Sequence, residues 1–440
     1  MAADGDALSF DMITIAFLLF GLFFLLLFLE VPVAVGLGLS AMTVILSFRL
    51  QDPILIAQQI FASFDSYKLL AIPLFLVAGH LIGECGFAAD LRDFVLAAVG
   101  NLRGGVALVT VIVSLFFAGI SGSGPADVAA LGLLLYPLLR ESGFPETRAA
   151  ALIAAGGGIG IIIPPSIALI VYGVISETSI SRLFIAGIFP GILVGAALMA
   201  AVLMMAREIR PLKEKPRLTG KMIAGTLLAL VAPLMILGGI YLGIFTPTES
   251  AGAAVLYILL ADLLFYRSLF RGKKVMELLI RAGRSAAQIL FIIAGASLFS
   301  WVLHQTRLTE TLGNATLAIT ANRIVLLLVI NLFLLVAGCF IDAISIMYIF
   351  VPIFLPALKR IGVDPVHFGL ILTVNMAIGQ ITPPVGVNLF VASSFSRIEL
   401  SRLSRAVVPF IVAEIAALLI VTYVPALSLF LPNRFFGSAS

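Results

Sequence analysis

Two stretches of this chain place glycine, double proline and polar side chains inside otherwise apolar sequence: Gly156-Gly157-Gly158-Ile159-Gly160-Ile161-Ile162-Ile163-Pro164-Pro165-Ser166 and Gly379-Gln380-Ile381-Thr382-Pro383-Pro384-Val385-Gly386-Val387-Asn388. Proline lacks a backbone donor and clashes with the preceding turn, and it pushes the residue before it toward extended geometry. Neither stretch can therefore continue as one regular helix. Unwound backbone at membrane depth is tolerated only where protein buries it or where it lines a wet cavity. Its freed carbonyls suit a hard cation such as Na⁺, and in the second stretch Thr382 adds a hydroxyl oxygen. A plain proline kink is the other reading, and two such sites at equivalent positions weaken it.

Two further breaks interrupt apolar segments, at Gly119-Ile120-Ser121-Gly122-Ser123-Gly124-Pro125 within 104–139 and at Gly338-Cys339-Phe340-Ile341-Asp342 within 323–358. Ser123 can cap a helix that starts with Pro125 and carries Asp127 in its first turn. The unpaired N–H groups and dipole of such a helix form a site for a carboxylate. Asp342 has two readings. A carboxylate in apolar surroundings costs about 2.5–3.5 kcal/mol at the bilayer centre and so marks a functional site, or it simply caps the helix 343–358.

Other polar residues carry less. Asn375, Gln380 and Asn388 either line a cavity or bond across helices. Thr246-Pro247-Thr248-Glu249 opens a helix locally, with Thr246 or Thr248 as cap. Glu84, Asp90, Arg92 and Asp93 fit an interfacial amphipathic arm, and Glu414 stands alone and could meet a partner subunit. Cys85, Cys339, His80, His304 and His367 are read as isolated side chains, with no disulfide or metal cluster indicated.

The breaks repeat. Gly119, Pro137, Gly143, Gly160, Pro164, Pro165 and Pro190 match Gly338, Pro356, Gly362, Gly379, Pro383, Pro384 and Pro409, all 219 positions apart (338−119, 409−190). Ser181-Arg182-Leu183 recurs one residue out of step as Ser401-Arg402-Leu403.

The elements that hold these motifs must be membrane helices. Of 440 residues, 61% are hydrophobic and 11% charged, against about 45–50% and about 25% in a soluble domain. That leaves room for roughly ten to twelve spans. Full spans are expected near 12–29, 32–49, 66–84, 147–178, 183–206, 222–245, 248–266, 285–305, 365–396 and 406–431. The acidic start (Asp4, Asp6, Asp11) lacks the basic flank of a signal peptide, so 12–29 reads as a first helix. Basic stretches at 207–221 (Arg207, Arg210, Lys213, Lys215, Arg217, Lys221) and 267–284 (Arg267, Arg271, Lys273, Lys274, Arg281, Arg284) are assigned to the cytoplasm, with Arg397, Arg402 and Arg405. Lys359 and Arg360 then fall outside, against the trend. A net charge of +4 is ordinary for such a protein and does not argue for nucleic acid. The expected fold is an all-α polytopic membrane protein. Its inverted repeats each carry a re-entrant hairpin and a broken helix, an arrangement that places binding sites at the repeat interface near the midplane.

At these residues the sequence resembles the large membrane subunit of tripartite ATP-independent periplasmic transporters. The resembling stretches are Ala118–Gly132, Gly157–Ser166, Tyr241–Glu249, Gly338–Ala343 and Gln380–Phe390. The resemblance implies an elevator in the bacterial inner membrane. Scaffold helices would occupy 1–84, an arm 85–103, the first transport repeat 104–206, cytoplasmic loops and further scaffold 207–305, a second arm 306–322 and the second transport repeat 323–440. It implies two Na⁺ sites, one with Ser121, Ser123 and the backbone at Gly158, Gly160 and Ile163, the other with Gly338, Asp342, Ser345, Gly379 and Thr382. Substrate would lie between Ser121, Gly122, Ser123 and Gly124 on one side and Thr382, Pro383 and Asn388 on the other. Implied partners are a small four-helix membrane subunit, a soluble periplasmic substrate-binding protein, membrane lipid and an organic acid such as a C4-dicarboxylate or a sialic acid. A stand-alone Na⁺-coupled anion symporter is the competing reading. A membrane-embedded enzyme is disfavoured, since HExxH, GxSxG and facing carboxylate pairs are absent from the sequence.

Overall fold

The computed structural model describes residues 2–102, 104–205, 216–270, 272–320 and 322–437, with side chains from residue 12 onward. Arg207, Arg210, Lys213, Lys215 and Arg271, on which the expected orientation partly rests, lie outside the described residues, as do the side chains of Asp4, Asp6 and Asp11.

Every regular element among the described residues is helical. The chain opens with α1 (Ala2–Phe28), α2 (Val33–Ser47), α3 (Pro53–Ala62), a 3-10 turn at Tyr67–Leu70, α4 (Ala71–Glu84) and α5 (Gly86–Val99). A first hairpin, α6 (Gly105–Ser121) and α7 (Gly124–Glu141), precedes α8 (Glu146–Gly158), a 3-10 turn, α9 (Ile167–Ile175) and the long α10 (Ile180–Met205). Then come α11 (Gly220–Tyr241), α12 (Pro247–Phe265), α13 (Lys274–Gln305) and α14 (Leu308–Ile319). The second hairpin is α15 (Arg323–Gly338) and α16 (Ala343–Arg360), followed by α17 (Pro365–Gly379), α18 (Val387–Ser396), α19 (Leu400–Ala406), α20 (Val408–Tyr423) and α21 (Ala426–Phe436).

Helix starts follow local chemistry. Asp52, Asn322 and Asp364 each accept a backbone N–H from the first turn of their helices. Thr246 and Glu249 close a full capping box at α12, with Pro247 at the start.

The four segments of each repeat interlock. The first arms pack on their own broken helices, α6 on α8 and α15 on α17. The parts beyond the double prolines cross over, α9 against α16 and α18 against α7. Neither half is complete without the other. Around them α13 packs on α2, α4 and α16. Small residues allow the closest of these crossings: a methyl group on Gly295 would fall 2.2 Å from the Ala34 carbonyl.

The structure redraws a loop and a span and adds a helix. The stretch 267–284, read as a loop, is largely helix, because α13 begins at Lys274. Leu278, Ala282 and Ala286 lie buried along one face, a helical period that the basic residues Arg281 and Arg284 disguise. The span 406–431 divides into α20 and α21 at Val424-Pro425, and α19 and α20 meet at 49°. The sequence reading missed α3 altogether. Six described helices are long and apolar enough to cross a membrane, or seven if the bent pair counts as one. Others fall short because they are interrupted: the 15 residues of α17 reach about 22 Å against a hydrocarbon core of about 30 Å.

Candidate functional site

The hairpin tips lie against the broken helices. In the first half, Gly122 takes the left-handed conformation (φ 66°) and its carbonyl accepts the Ile167 N–H at 3.2 Å. A methyl group there would meet the Pro165 carbonyl oxygen at 2.5 Å, so the tip admits only glycine. In the second half the Cys339 carbonyl accepts the Val385 N–H at 3.2 Å. Both double prolines carry a cis bond, Pro164-Pro165 and Pro383-Pro384, at matching repeat positions.

The two tips treat their acids differently. Asp342 caps α16: its Oδ1 accepts Ile344 N–H and Ser345 N–H at 3.0 Å each, and its Oδ2 accepts the Ser345 hydroxyl at 2.6 Å. The cap reading of Asp342 therefore holds as geometry, and Ser345 serves that cap. Ser123 makes no side-chain cap bond, and α7 starts at Gly124, one residue before Pro125. The Ser121 hydroxyl instead accepts Ser123 N–H at 3.2 Å. Asp127 is 1% exposed, and neither of its carboxylate oxygens has a hydrogen-bond partner. A carboxylate inside this first turn opposes the expected use of the α7 N-terminus as an anion site.

A cavity of about 450 Å³ sits where the tips face the outer helices. The first tip contributes Gly122, Ser123 and Gly124, the second Asp342, and the broken helix of the second half Gln380. Across from them stand His80 of α4 and Ser285 and Gln288 of α13. The Nδ1 of His80 bonds the Leu76 carbonyl at 2.8 Å. Two more cavities continue along α13. One of about 350 Å³ holds Ser121, Asp127, His80, Glu84 and Arg281, and one of about 540 Å³ holds Ser297, Ser300, Trp301, His304, Glu177 and Lys359. From Leu278 to His304 the three are strung along a single helix over about 39 Å, enough to cross a bilayer. At the Arg281 end, Glu84 pairs with Arg281 at 3.1 Å and Lys274 at 3.2 Å. Partial exposure leaves those pairs worth little stability.

The residues singled out from sequence separate in space. Ser123, Gly122, Gly124 and Asp342 line the central cavity, whereas Thr382, Pro383 and Asn388 do not. The Thr382 hydroxyl donates to the Ile378 carbonyl at 2.6 Å. Asn388 is buried and its Nδ2 donates to the Ala154 carbonyl at 3.1 Å, tying the second half to the first. Asn375 bonds across helices to Asn331, whose Nδ2 donates to the Thr422 hydroxyl, each at 2.8 Å. Gly338 and Gly379 touch: a methyl on Gly379 would fall 2.8 Å from the Gly338 carbonyl oxygen. At the matching Gly160, Asp127 Oδ2 would lie 2.2 Å from such a methyl. Gly158 packs against Ala377, and Ile163 reaches Gly191 of α10. Glu414 is 1% exposed inside the helix packing, so it does not face a partner.

Sequence reasoning missed His80, Ser285 and Gln288 as cavity residues. The polar stripe Arg281, Ser285, Gln288 at helical spacing on an apolar helix was the available signal.

Residues 20–427 match the family described as tripartite ATP-independent periplasmic transporter, DctM component. The C4-dicarboxylate TRAP transporter large permease protein DctM of Pseudomonas aeruginosa is 41% identical over 90% of this chain and 94% of its own length. The sialic acid TRAP transporter large permease protein SiaM of Vibrio cholerae is 35% identical over 94% of this chain and 97% of its own. An isethionate TRAP transporter permease protein, DctMQ, of Oleidesulfovibrio alaskensis is 41% identical over 94% of this chain, which spans only 65% of that longer relative. In fold, the crystal structure of the Alcanivorax borkumensis YdaH transporter is similar with a TM-score of 0.61 at 15% identity, covering 85% of this chain and 89% of that one.

Proposed function

The chain belongs to the DctM component family of tripartite ATP-independent periplasmic transporters, and from that premise we propose that it moves a small organic acid inward, driven by Na⁺. It is a multi-pass protein of the bacterial inner membrane. The observation that carries the proposal is the placement of both hairpin tips in one cavity on the face of α13, with further cavities toward both ends of that helix. Small-molecule sites are commonly a few hundred Å³ with a handful of polar groups, and this one fits.

In the proposed mechanism the two interlocked halves, with α10, move as a body past α4 and α13, in the manner of an elevator. The organic acid is held between Ser123–Gly124 and the Asp342–Gln380 side, with Ser285, Gln288 and His80 contacting it from the scaffold. Na⁺ enters as co-substrate. The backbone at Gly158, Gly160 and Ile163 with Ser121 and Ser123 would form one site; Gly338, Gly379 and Thr382, steadied by the Asp342–Ser345 cap, would form the other. A small membrane subunit would buttress the scaffold and a periplasmic binding protein would deliver the acid. The relatives' names support an organic anion as cargo, being permeases for C4-dicarboxylate, sialic acid and isethionate.

Proteoliposomes test this. Uptake of the acid held by the cognate binding protein should require that protein, the small subunit and an inward Na⁺ gradient. Uptake by the chain alone would contradict the tripartite reading and favour a stand-alone symporter, and uptake indifferent to Na⁺ would contradict the coupling.

A further inference from the structure

The two halves of the repeat differ at the point where each hairpin tip meets its broken helix. In the second half, Gly338 and Gly379 close on each other backbone to backbone. In the first half the equivalent glycines, Gly119 and Gly160, do not. The side of Gly160 is instead occupied by the Asp127 carboxylate, whose Oδ2 lies where a β-carbon would stand. The Ser123 backbone lies within 3.5 Å of the same point. The Ser121 side chain is within interaction reach of the carboxylate, but its hydroxyl makes its geometric hydrogen bonds to the Ser123 backbone, 3.2 Å from the N–H and 3.4 Å from the carbonyl.

Asp127 is 1% exposed and both its oxygens lack a hydrogen-bond partner. Buried charges are paired or coordinate metals, and an unpaired one is strongly disfavoured. The nearest cation that shares a cavity with it, Arg281, is held by Glu84 at 3.1 Å. His80 lines the same cavity and is bonded to its own helix. The polar neighbours of Asp127 are the Ser121 hydroxyl and the backbone of the tip and of the unwound turn at Ser123 and Gly160, in a cavity whose wall is otherwise largely apolar, with Phe117, Ala130 and Leu134. A carboxylate beside hydroxyl and backbone oxygens suits a hard cation.

We propose that Asp127 is a direct Na⁺ ligand: its carboxylate, with the Ser121 hydroxyl and the backbone around Ser123 and Gly160, holds one Na⁺ between the first hairpin tip and the first broken helix. The assignment rests on the Na⁺-coupled reading and adds to it. It gives the first site an anionic ligand that neutralises the ion, while the carboxylate of the second half is engaged by its own helix. Removing Na⁺ then leaves a bare buried carboxylate in the first half only, which loosens that tip against Gly160. A cation in this position also resolves the conflict between an anionic cargo at the first tip and a carboxylate buried behind it.

The test uses the full chain in lipid nanodiscs, with ²²Na⁺ binding and thermal melting measured in NaCl and in KCl. Wild type should bind ²²Na⁺ and melt higher in Na⁺. In Asp127→Asn, Na⁺ affinity should fall by about tenfold or more, the worth of a charged contact, and the Na⁺-dependent rise in melting temperature should vanish. Its melting in KCl should be no lower than wild type's, because the amide carries no charge to bury. Hydrogen exchange on wild type is a second readout that needs no variant: peptides covering 121–128 and 158–163 should be protected by Na⁺ and not by K⁺. If Asp127→Asn responds to Na⁺ as wild type does, or if those peptides show no Na⁺-specific protection, the assignment of Asp127 is overturned while Na⁺ coupling stands. If wild type neither binds ²²Na⁺ nor melts higher in it, the Na⁺-coupled reading falls and the assignment with it.

Discussion

In the second half of the repeat, Asp342 stands at the N-cap of α16 and spends both carboxylate oxygens on three donors of its own helix. The first half has Ser123 at the equivalent position, 219 residues earlier, and carries its acid four residues further on, at Asp127, without a partner. The glycines differ in parallel: Gly338 and Gly379 touch, whereas Gly119 faces Pro233 and Pro164 and Gly160 faces the Asp127 carboxylate. Two copies of one plan have thus diverged in how a buried charge is satisfied, one within the chain and one by what binds. The difference teaches that repeat symmetry predicts where a site lies but not which atoms complete it.

The largest effect is expected at the glycines. Gly379→Ala forces a β-carbon against the Gly338 carbonyl oxygen, backbone that cannot step aside. It should abolish uptake and cost about 1–3 kcal/mol of stability in thermal or denaturant unfolding. Gly160→Ala meets the end of the Asp127 side chain, with the Ser123 backbone at ordinary contact distance. It should keep a near-wild-type melting temperature in K⁺ and lose the Na⁺-dependent rise. Equal destabilisation of the two variants would show that the halves are not different in the way described.

Next comes the buried amide chain that links Asn375 to Asn331 and Asn331 to Thr422. The first half has Ile112 and Gly156 at the positions equivalent to Asn331 and Asn375. Asn331→Ala removes one of the two acceptors of the Asn375 amide, leaving its bond to the Ile371 carbonyl, and should destabilise by about 1–3 kcal/mol, while Ile112→Val should cost about 0.5–1.5 kcal/mol. Chemical denaturation of both variants checks the ranking.

The smallest pair concerns the caps. Asp342→Ala removes a formed N-cap and should cost about 0.5–2 kcal/mol in Na⁺ and K⁺ alike. Ser123→Ala removes no cap bond and should stay within about 0.5 kcal/mol in K⁺. A large loss for Ser123→Ala in K⁺ would mean that its hydroxyl has a structural duty the geometry does not show.

Much of this fold was legible in the sequence, because it is written in helix breakers. The double prolines and the glycine tips sit where the breaks are. The Asp342 cap and the Thr246–Glu249 capping box follow from residue type and position. What was not legible depends on which helix faces which. Nothing in the linear sequence says that α9 packs on α16 and α18 on α7, so the two readings of Asn388, cavity lining or a bond across helices, stayed open until its bond to Ala154 of the other half decided for the second. Asp127 read only as an acid in the first turn of its helix; its burial without a hydrogen-bond partner, against Gly160, appears only in the folded packing. Arg281 and Arg284 suggested a loop, and the buried face they share a helix with became evident only with α2 and α4 in place.

The proposed elevator requires the hairpin bundle to move along α13. Cross-linking with a bifunctional thiol reagent reads that movement directly in a background with Cys85→Ser and Cys339→Ser. Ala126 and Ser285 line one cavity, so a bifunctional thiol reagent long enough to span it should bridge Ala126→Cys and Ser285→Cys in the arrangement described here. Ala126→Cys with Ser297→Cys, about 18 Å further along the helix, should cross-link in a second population that Na⁺ and substrate shift. Formation of both bonds, each trapping transport, is the predicted result. Cross-linking of the Ser285 pair alone under every condition, with transport intact once that bond is locked, would contradict it.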